Sequence, residues 1–269
     1  TAASNATGEI WPVRDITTLA HRHGARICVD ASQLAPHRAL SVTGDDLDYL
    51  VLSGHKIYAP FGAGLLVGRP DWLRDAPPHL RGGGATDLVS SGSVTWSTGP
   101  ARHEAGSPNV VGAVAMAAAA ATLSRHRTAI GAHEAFLLER LRDGLAALPG
   151  VRTYSMFGSA HDRVGIATFT VDGQRSEVVS AALSAEYGVG LRDGRFCAHL
   201  LVDRLLEGTG SSSAVRASIG LGTTLEHVDR FLAGIRTIAA HGPAAHYVCT
   251  DGNWAPARDP RELRHPRPW

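Results

Sequence analysis

Short apolar runs alternate with amphipathic stretches along the first part of the chain. Three runs, at residues 26–30, 46–53 and 62–68, are bounded by polar or turn-forming residues and have the length of strands. Residues 11–23 have helical spacing, with a proline in the first turn and Gly24 just after the end. This alternation predicts an α/β architecture, in which functional side chains belong at strand ends and in the loops beyond them.

The later part of the chain predicts a second, smaller α/β region. Residues 109–148 have the pattern of two helices divided near Gly131, and Pro149-Gly150 marks a domain boundary. Beyond it the pattern predicts three strands and two helices, with strands at 164–171, 188–191 and 214–218 and helices at 176–186 and 224–241.

Two segments lack any regular period. Residues 69–100 contain a Pro-Pro pair and a run of three glycines, which predict irregular structure. Residues 242–269 are rich in Pro, Arg, Asp and Trp, which predicts an extended surface arm or disorder. We therefore divide the chain into a large domain with its connecting helices (1–149), a small C-terminal domain (150–241) and an extended arm (242–269).

Composition narrows the functional classes. The 269 residues are 44% hydrophobic, enough to bury a core, and 26 basic side chains nearly balance 25 acidic ones, which argues against nucleic acid or an anionic membrane as partner. No apolar run reaches the length of a membrane span, and the first residues lack the features of a signal peptide. Three widely spaced cysteines (Cys28, Cys197 and Cys249) favour a reducing, cytoplasmic location over a disulfide scaffold. Cys28 is expected to be buried, because it lies inside the apolar run 26–30.

Asp30 and Lys56 are the first candidates for chemistry, because Asp30 ends one predicted strand and Lys56 lies just past the next. A carboxylate that keeps a pyridine nitrogen protonated, and a lysine amine that forms a Schiff base with an aldehyde, are what pyridoxal phosphate (PLP) requires of a protein. The alternatives are a strand-end capping residue and an ordinary surface lysine. An acid directly after an apolar strand is costly without a partner, and lysine is rare in this chain, so both residues favour the PLP interpretation.

Six segments, in order along the chain, resemble one family. They are SNATGE at 4–9, VDASQ at 29–33, SGHKIYAPFGAG at 53–64, HEAGSPN at 103–109, RDGRFCA at 192–198 and VRAS at 215–218. Together they resemble the class V aminotransferases, which are PLP enzymes of fold type I, and within them the cysteine desulfurase and selenocysteine lyase branch. The resemblance runs from residue 4 to about residue 240.

The resemblance implies how the cofactor is held. Besides Asp30 and Lys56, it assigns Gln33 to the phenolate oxygen of PLP, and Ser53 and His55 to the phosphate. The fold implied is that of a PLP-dependent transferase, with a partial large α/β domain and a small C-terminal one. The family's N-terminal part, with its phosphate-binding turn and the residue that stacks on the cofactor ring, lies outside this sequence. We therefore expect the chain to begin inside a domain.

The resemblance also implies a reaction, the cleavage of the C–S bond of L-cysteine or selenocysteine with the sulfur carried as a persulfide on Cys197. Cations near this residue would favour the thiolate. Asn5, Arg192 and Arg216 are the implied substrate-binding residues, with Arg216 binding the carboxylate as a fork. A homodimer and a sulfur-acceptor protein are the implied partners. Asn109 is expected to organise the loop ahead of its helix.

One position departs from the family. Arg195-Phe196 stands where desulfurases of this type typically carry two histidines, which removes a proton carrier next to the cysteine. Three alternatives therefore stay open: a Cys197 that is only a small buried hydrophobe, another class V enzyme (aminotransferase, epimerase or lyase) without persulfide chemistry, or a catalytically incompetent partial chain. The remaining histidines have no metal-ligand spacing, so no metal site is predicted.

Overall fold

The computed structural model describes residues 1–259 and residue 261, and its α/β composition confirms the predicted class. The described residues form two compact units. The first unit consists of residues 1–2 and 11–127, and the second consists of residues 3–10 with the described residues from 128 onward. The sequence placed the boundary later, at 149/150.

The first unit is built on a three-stranded sheet with the order β1-β2-β3. It follows helix α1 (Val13–Arg22) and consists of β1 (Cys28–Asp30), β2 (Tyr49–Ser53) and β3 (Gly64–Gly68). Strands β1 and β2 are parallel, with Asp30 opposite Val51, whereas β3 runs antiparallel to β2. Because β1 and β2 are parallel, their carboxyl ends meet at one edge of the sheet.

Strand β1 is less buried than its apolar sequence indicates. Val29 is buried, but Cys28 and Asp30 on either side of it are exposed, so the prediction of a buried Cys28 was wrong. The reason is that β1 is the edge strand and its residues alternate between two faces, of which only one is covered by the described residues.

Residues 69–127 contain more regular structure than their Pro-Pro pair and glycine run predict. They form α2 (Asp71–Asp75), an antiparallel hairpin of β4 (Thr86–Val89) and β5 (Val94–Trp96), a 3₁₀ turn (Gly99–His103) and α3 (Val110–Arg125). The hairpin closes at Ser90 and Ser93, whose hydroxyls and backbone are hydrogen bonded. Polar turn residues closed a hairpin here, where the sequence predicted only irregular structure.

The second unit packs its helices on a four-stranded antiparallel sheet with the order β6-β7-β9-β8. Its strands are β6 (Val151–Thr153), β7 (Ile166–Val171), β8 (Arg192–Gly194) and β9 (Ala214–Ser218), and its helices are α4 (Arg127–Ala146), α5 (Ser176–Tyr187), α6 (His199–Leu205) and α7 (Leu225–His241). Strand β7 is buried along its whole length, and Phe169, Leu137 and Ile235 are fully covered. Helix α4 therefore belongs to this core, which explains the earlier boundary between the units.

Two element boundaries differ from the sequence prediction. The break between α3 and α4 lies at His126, and Gly131 is inside α4. The strand predicted at 188–191 starts instead at Arg192, because Gly188 ends α5 in a left-handed conformation (φ 67°) and the following residues lead into the strand.

The segment after α7 forms a hairpin rather than a featureless arm. Strands β10 (Tyr247–Thr250) and β11 (Asn253–Pro256) are antiparallel, and Asp251-Gly252 between them has positive φ at both positions, the geometry that a two-residue hairpin turn requires. On α5, the Glu186 carboxylate accepts hydrogen bonds from the amides of Ala244 and Ala245 and from the Tyr247 hydroxyl. The rest of the predicted arm, residues 260 and 262–269, lies outside the described residues.

No helix within residues 1–259 is both long and apolar enough to cross a membrane.

Candidate active site

The parallel pairing of β1 and β2 brings the first group of predicted residues to one edge of the sheet. Asp30 is the last residue of β1 and Ser53 the last of β2, and Lys56 lies in the 3₁₀ turn Gly54–Ile57 directly after β2. The turn is closed on its own loop, because the Gly54 amide donates to the Ala63 carbonyl at 2.8 Å. A Cβ on Gly54 would lie 2.7 Å from that oxygen, so only glycine fits before His55-Lys56.

Asp30 is held as a carboxylate. Partial burial raises its pKa, but hydrogen bonds from the side chain and amide of Ser32 outweigh this, and the charge of Lys56 adds to them, so the net pKa is lowered. The amide of Ser32 lies 2.8 Å from the Asp30 Oδ1. An ionised acid is what a protonated ring nitrogen needs as its partner. Ser32 was not among the predicted site residues, although the Asp-x-Ser spacing is typical of such a turn.

Lys56 is the only lysine in the sequence. Its side chain is half-buried, and the neighbouring polar pair is preorganised, since Ser53 Oγ and His55 Nδ1 lie 2.7 Å apart. Gln33 is also half-buried, in the turn that follows Asp30. Gln33 thus lies just after β1, and Ser53, His55 and Lys56 lie at or just after the end of β2, the strand that pairs with β1.

Asn109 fixes the loop that follows the lysine. Its Oδ1 accepts from the Gly112 amide and caps α3, while its Nδ2 donates to the Phe61 carbonyl at 2.6 Å. Phe61 has a left-handed backbone (φ 72°), and the hydrogen bond holds it there. These contacts join the start of α3 to the loop after Lys56, whereas the predicted role of Asn109 in the loop ahead of α3 stays a prediction.

The second unit collects the other predicted residues, although they are far apart in sequence. Arg192 on β8 and Arg216 on β9 are directly opposite each other in the sheet. Arg216 Nη1 donates to the Asn5 carbonyl at 2.7 Å, and Asn5 Nδ2 donates to the Phe196 carbonyl at 2.7 Å. Arg192 Nη2 lies 3.4 Å from Cys197 Sγ.

The loop that carries the thiol has an unusual backbone. Phe196 and Cys197 both have left-handed φ values, 54° and 58°, which non-glycine residues seldom adopt. Phe196 points inward and is 3% exposed, whereas Cys197 is exposed. The alternative interpretation of Cys197 as a small buried hydrophobe is therefore wrong.

Arg216 is a half-buried cation without an acidic partner among the described residues. Burial lowers its pKa, as does the nearby charge of Arg192, while Cys197 acts in the opposite direction. Its Nε is buried and makes no hydrogen bond within the described residues. A desolvated guanidinium with free donor capacity favours an anionic ligand, because an uncompensated buried charge is costly.

Glu9 anchors the segment that carries Asn5, although no role was predicted for it. Its carboxylate is fully buried and accepts from the Ser155 hydroxyl at 2.6 Å and from the amides of Met156 and Phe157 at 2.7 and 2.8 Å. Arg163, itself 6% exposed, lies 3.6 Å away. Burial raises the pKa of Glu9, but these hydrogen bonds outweigh it and lower the pKa overall. Nothing in the local sequence distinguishes this acid from a surface one.

Across residues 1–259, no group of three or more His, Cys, Asp or Glu side chains could hold a metal ion.

The family follows from a sequence comparison. The sequence model described as "Aminotransferase class-V" matches residues 1–231. The chain belongs to the class V aminotransferase family. Among curated class V relatives, a cysteine desulfurase of Dickeya dadantii is 36% identical over 240 residues, covering 88% of this chain and 56% of the relative. A probable cysteine desulfurase of Halobacterium salinarum is 37% identical over 233 residues, covering 86% and 54%.

Solved structures agree with this class V assignment. The apo cysteine desulfurase of Thermococcus onnurineus NA1 superposes with a TM-score of 0.80 at 32% identity, covering 88% of this chain and 58% of that one. The cysteine desulfurase CsdA of Escherichia coli gives a TM-score of 0.75 at 31% identity, covering 87% and 56%. The chain thus spans little more than half the length of these relatives, and the predicted fold type is confirmed for the part it spans.

Proposed function

We propose that this chain is the part of a PLP-dependent cysteine desulfurase that carries the cofactor-binding lysine and the sulfur-accepting cysteine. The observation that carries the proposal is the exposed Cys197, whose Sγ lies 3.4 Å from Arg192 Nη2, in the group that also contains Arg216, a cation with no acidic partner among the described residues. The similar proteins named as cysteine desulfurases support it. The proposed substrate is L-cysteine, with selenocysteine as a close analogue.

The donor set of the first unit fits PLP. Asp30 supplies a carboxylate for the ring nitrogen, Lys56 supplies the amine for covalent attachment, and Ser53 with His55 supplies a hydroxyl and an imidazole for phosphate oxygens. Gln33 has an amide that can donate to the phenolate oxygen. When bound, the cofactor withdraws electrons from the substrate α-carbon.

The side chains of this chain then have separate tasks. Lys56 Nζ moves the proton at the substrate α-carbon, because a lysine amine can accept a proton and return it. Arg216 binds the substrate carboxylate, and Asn5 and Arg192 support it. Cys197 Sγ attacks the substrate sulfur: an S–S bond forms, the Cβ–S bond breaks with its electron pair on Cβ, and protonation there gives alanine.

One experiment tests attachment of the cofactor. The chain is incubated with PLP, reduced with borohydride and digested, and the modified peptide is identified by mass spectrometry. We expect modification at Lys56, which as the single lysine leaves no ambiguity among side chains. The matched control is Lys56→Arg, which keeps the positive charge. No modification, or equal modification of the control at its amino terminus, would contradict the cofactor assignment for this chain.

A second experiment tests sulfur transfer. Cys197→Ser is compared with Cys249→Ser, since both thiols are exposed and Cys197 is the one hydrogen bonded to Arg192. We expect Cys197→Ser to lose alanine formation from L-cysteine and Cys249→Ser to keep it. A Cys197→Ser chain that turns over cysteine as fast as the parent would exclude persulfide chemistry.

The runner-up is another class V enzyme, such as an aminotransferase, epimerase or lyase, that uses the same Asp30 and Lys56. Phe196 favours it, because phenylalanine cannot carry a proton next to Cys197. Amino-group exchange with a keto acid, unaffected by Cys197→Ser, would identify this alternative. A chain that binds PLP but shows neither activity would be the incompetent partial chain.

The predicted partners remain proposals. A homodimer would show as a doubled mass in sedimentation at micromolar concentration, and a sulfur-acceptor protein would accelerate turnover by removing sulfur from Cys197. A monomer with unchanged turnover in the presence of added thiol acceptors would argue against both.

A further inference from the structure

The side chain of Phe196 lies under a charged group that the proposed reaction uses. The Arg216 guanidinium carbon is 5.5 Å from the centre of the Phe196 ring, within the range of a cation–π contact. The ring is 3% exposed and packs in a small apolar cluster (Ala6, Tyr154, Phe196, Val202, Leu206 and Ala214). The ring position is therefore fixed by packing, independently of Arg216.

The same residue also determines the position of the thiol. Phe196 precedes Cys197 directly, its carbonyl accepts from Asn5 Nδ2, and both residues of the pair are left-handed. With its ring anchored inside the cluster and its carbonyl held by Asn5, the backbone of Phe196 leaves Cys197 exposed. One residue is thus linked to the cation through its ring and to the thiol through its backbone.

We infer that Phe196 is a positioning residue, an aromatic platform that holds the Arg216 guanidinium beside Cys197 so that the loop favours anionic reactants. The other contacts of Arg216 agree with this. Its Nη1 reaches the Asn5 carbonyl, its Nε has no partner among the described residues, and Cys197 and Arg192 both act on its charge. Since no acid in the described residues holds the guanidinium, the ring face and the Asn5 carbonyl are what orient it. The importance of Arg216 and Cys197 rests on the proposed function; the contacts of Phe196 do not.

The inference explains the departure from histidine at this position. A phenyl ring offers an uncharged π face at every pH, whereas an imidazole that gains a proton would repel the guanidinium. Phenylalanine at position 196 cannot carry a proton, but its ring supports Arg216 and stays neutral at every pH.

The test uses the full chain without cofactor, in a Cys28→Ser, Cys249→Ser background, so that Cys197 is the only thiol. Its alkylation rates with iodoacetate and with iodoacetamide are measured at one pH. The intrinsic reactivity of the thiol cancels in the ratio of the two rates, which reports the positive charge that an anionic reagent meets. Arg216→Gln gives the ratio expected when this charge is absent.

We expect Phe196→Met and Phe196→Leu to lower the ratio by about threefold, toward that of Arg216→Gln, since displacing one charge by a few ångström changes a near-surface interaction by this order. Phe196→Tyr should keep the parent ratio, because it retains the ring. Val202→Ala, in the same apolar cluster, is the matched control that removes apolar volume but keeps the Phe196 ring. Two replacements of Phe196 keep the test available if one of them does not fold.

A ratio unchanged in both the Met and Leu variants would overturn the inference, as would an equal fall in Val202→Ala, which would mean that packing alone is responsible. Neither outcome depends on PLP or on cysteine turnover. A negative alkylation result would therefore not contradict the proposed desulfurase reaction. A negative turnover result would not contradict the positioning role of Phe196.

Discussion

The two groups of candidate residues are assembled in different ways. In the first unit, Asp30, Ser53 and Lys56 are close in sequence and are placed by strand topology, because two parallel strands end at the same edge. In the second unit, Asn5 reaches Phe196 and Arg216 across 191 and 211 positions, and individual hydrogen bonds hold the group together. We expect the first group to keep its positions when one of its side chains is replaced, because the strands hold it. We expect the second group to be disturbed when a single hydrogen bond is removed. The predictions below test this difference.

The largest effect is expected at Lys56. Lys56→Ala should abolish borohydride-trapped cofactor and reduce turnover of L-cysteine by about 10³-fold, because both attachment and α-proton transfer are lost. Circular dichroism should be unchanged, since the turn is closed by backbone hydrogen bonds to Ala63 and Gly54 that do not involve this side chain. If Lys56→Ala instead unfolds the first unit, the claim that topology alone places this group is wrong.

Glu9 should have the next largest effect, on stability. Glu9→Ala leaves Arg163 buried without its carboxylate and removes three hydrogen bonds, so we expect a loss of about 3–5 kcal/mol in the free energy of unfolding, measured in urea. Glu226→Ala is the matched control, because its pair with Arg230 is exposed and should contribute under about 1 kcal/mol.

Glu9 also predicts a pH dependence. Because the pKa of Glu9 is lowered in the folded chain, its contribution is complete above the pKa of an unfolded glutamate, about 4.3, and is lost as the pH falls through the folded value. Glu9→Gln should flatten the fall in stability below this pH. Parallel curves for the parent and the variant would show that Glu9 is not the titrating group.

Asn5 tests the long-range contact directly. Asn5→Ala removes the donor to the Phe196 carbonyl but keeps the backbone carbonyl that Arg216 contacts. We expect a loss of about 1 kcal/mol in stability, and a rise in KM for cysteine of about fivefold, which corresponds to a similar free energy. A fall in kcat without a change in KM would place Asn5 in a different role.

The smallest effect is expected in the C-terminal hairpin. Tyr247→Phe removes one hydrogen bond to Glu186 but keeps the ring, so we expect a loss of about 1 kcal/mol and earlier proteolysis after α7. Cysteine turnover should be unchanged. Slower turnover in this variant would connect the hairpin with the second group of residues.

The first group of residues could be predicted from the sequence more completely than the second. The strand ends with Asp30 and Lys56, and the exact extent of Ala214–Ser218, followed from local patterns because strand period and turn residues act over a few positions. The burial of Glu9 did not, because Ser155 is 146 positions away, and neither did the platform under Arg216, because helix α6 lies between Phe196 and Arg216 in the sequence. Cys28 was misjudged because an apolar sequence does not show which strand lies at an edge, and the C-terminal hairpin because Asp251-Gly252 was overlooked as a turn.

The backbone at Phe196 and Cys197 has a left-handed conformation that L-amino acids disfavour. Left-handed φ values at two consecutive L-residues cost about 1–2 kcal/mol each, a cost that glycine would not have. Glycine at 196, however, would remove the ring that contacts Arg216, and glycine at 197 would remove the thiol. Replacement by glycine would therefore relieve the backbone but eliminate the groups on which the proposed reaction depends. A D-amino acid is the one replacement that would relieve the backbone and keep a side chain. The loop has a shape suited to mirror-image residues but is built from ordinary ones.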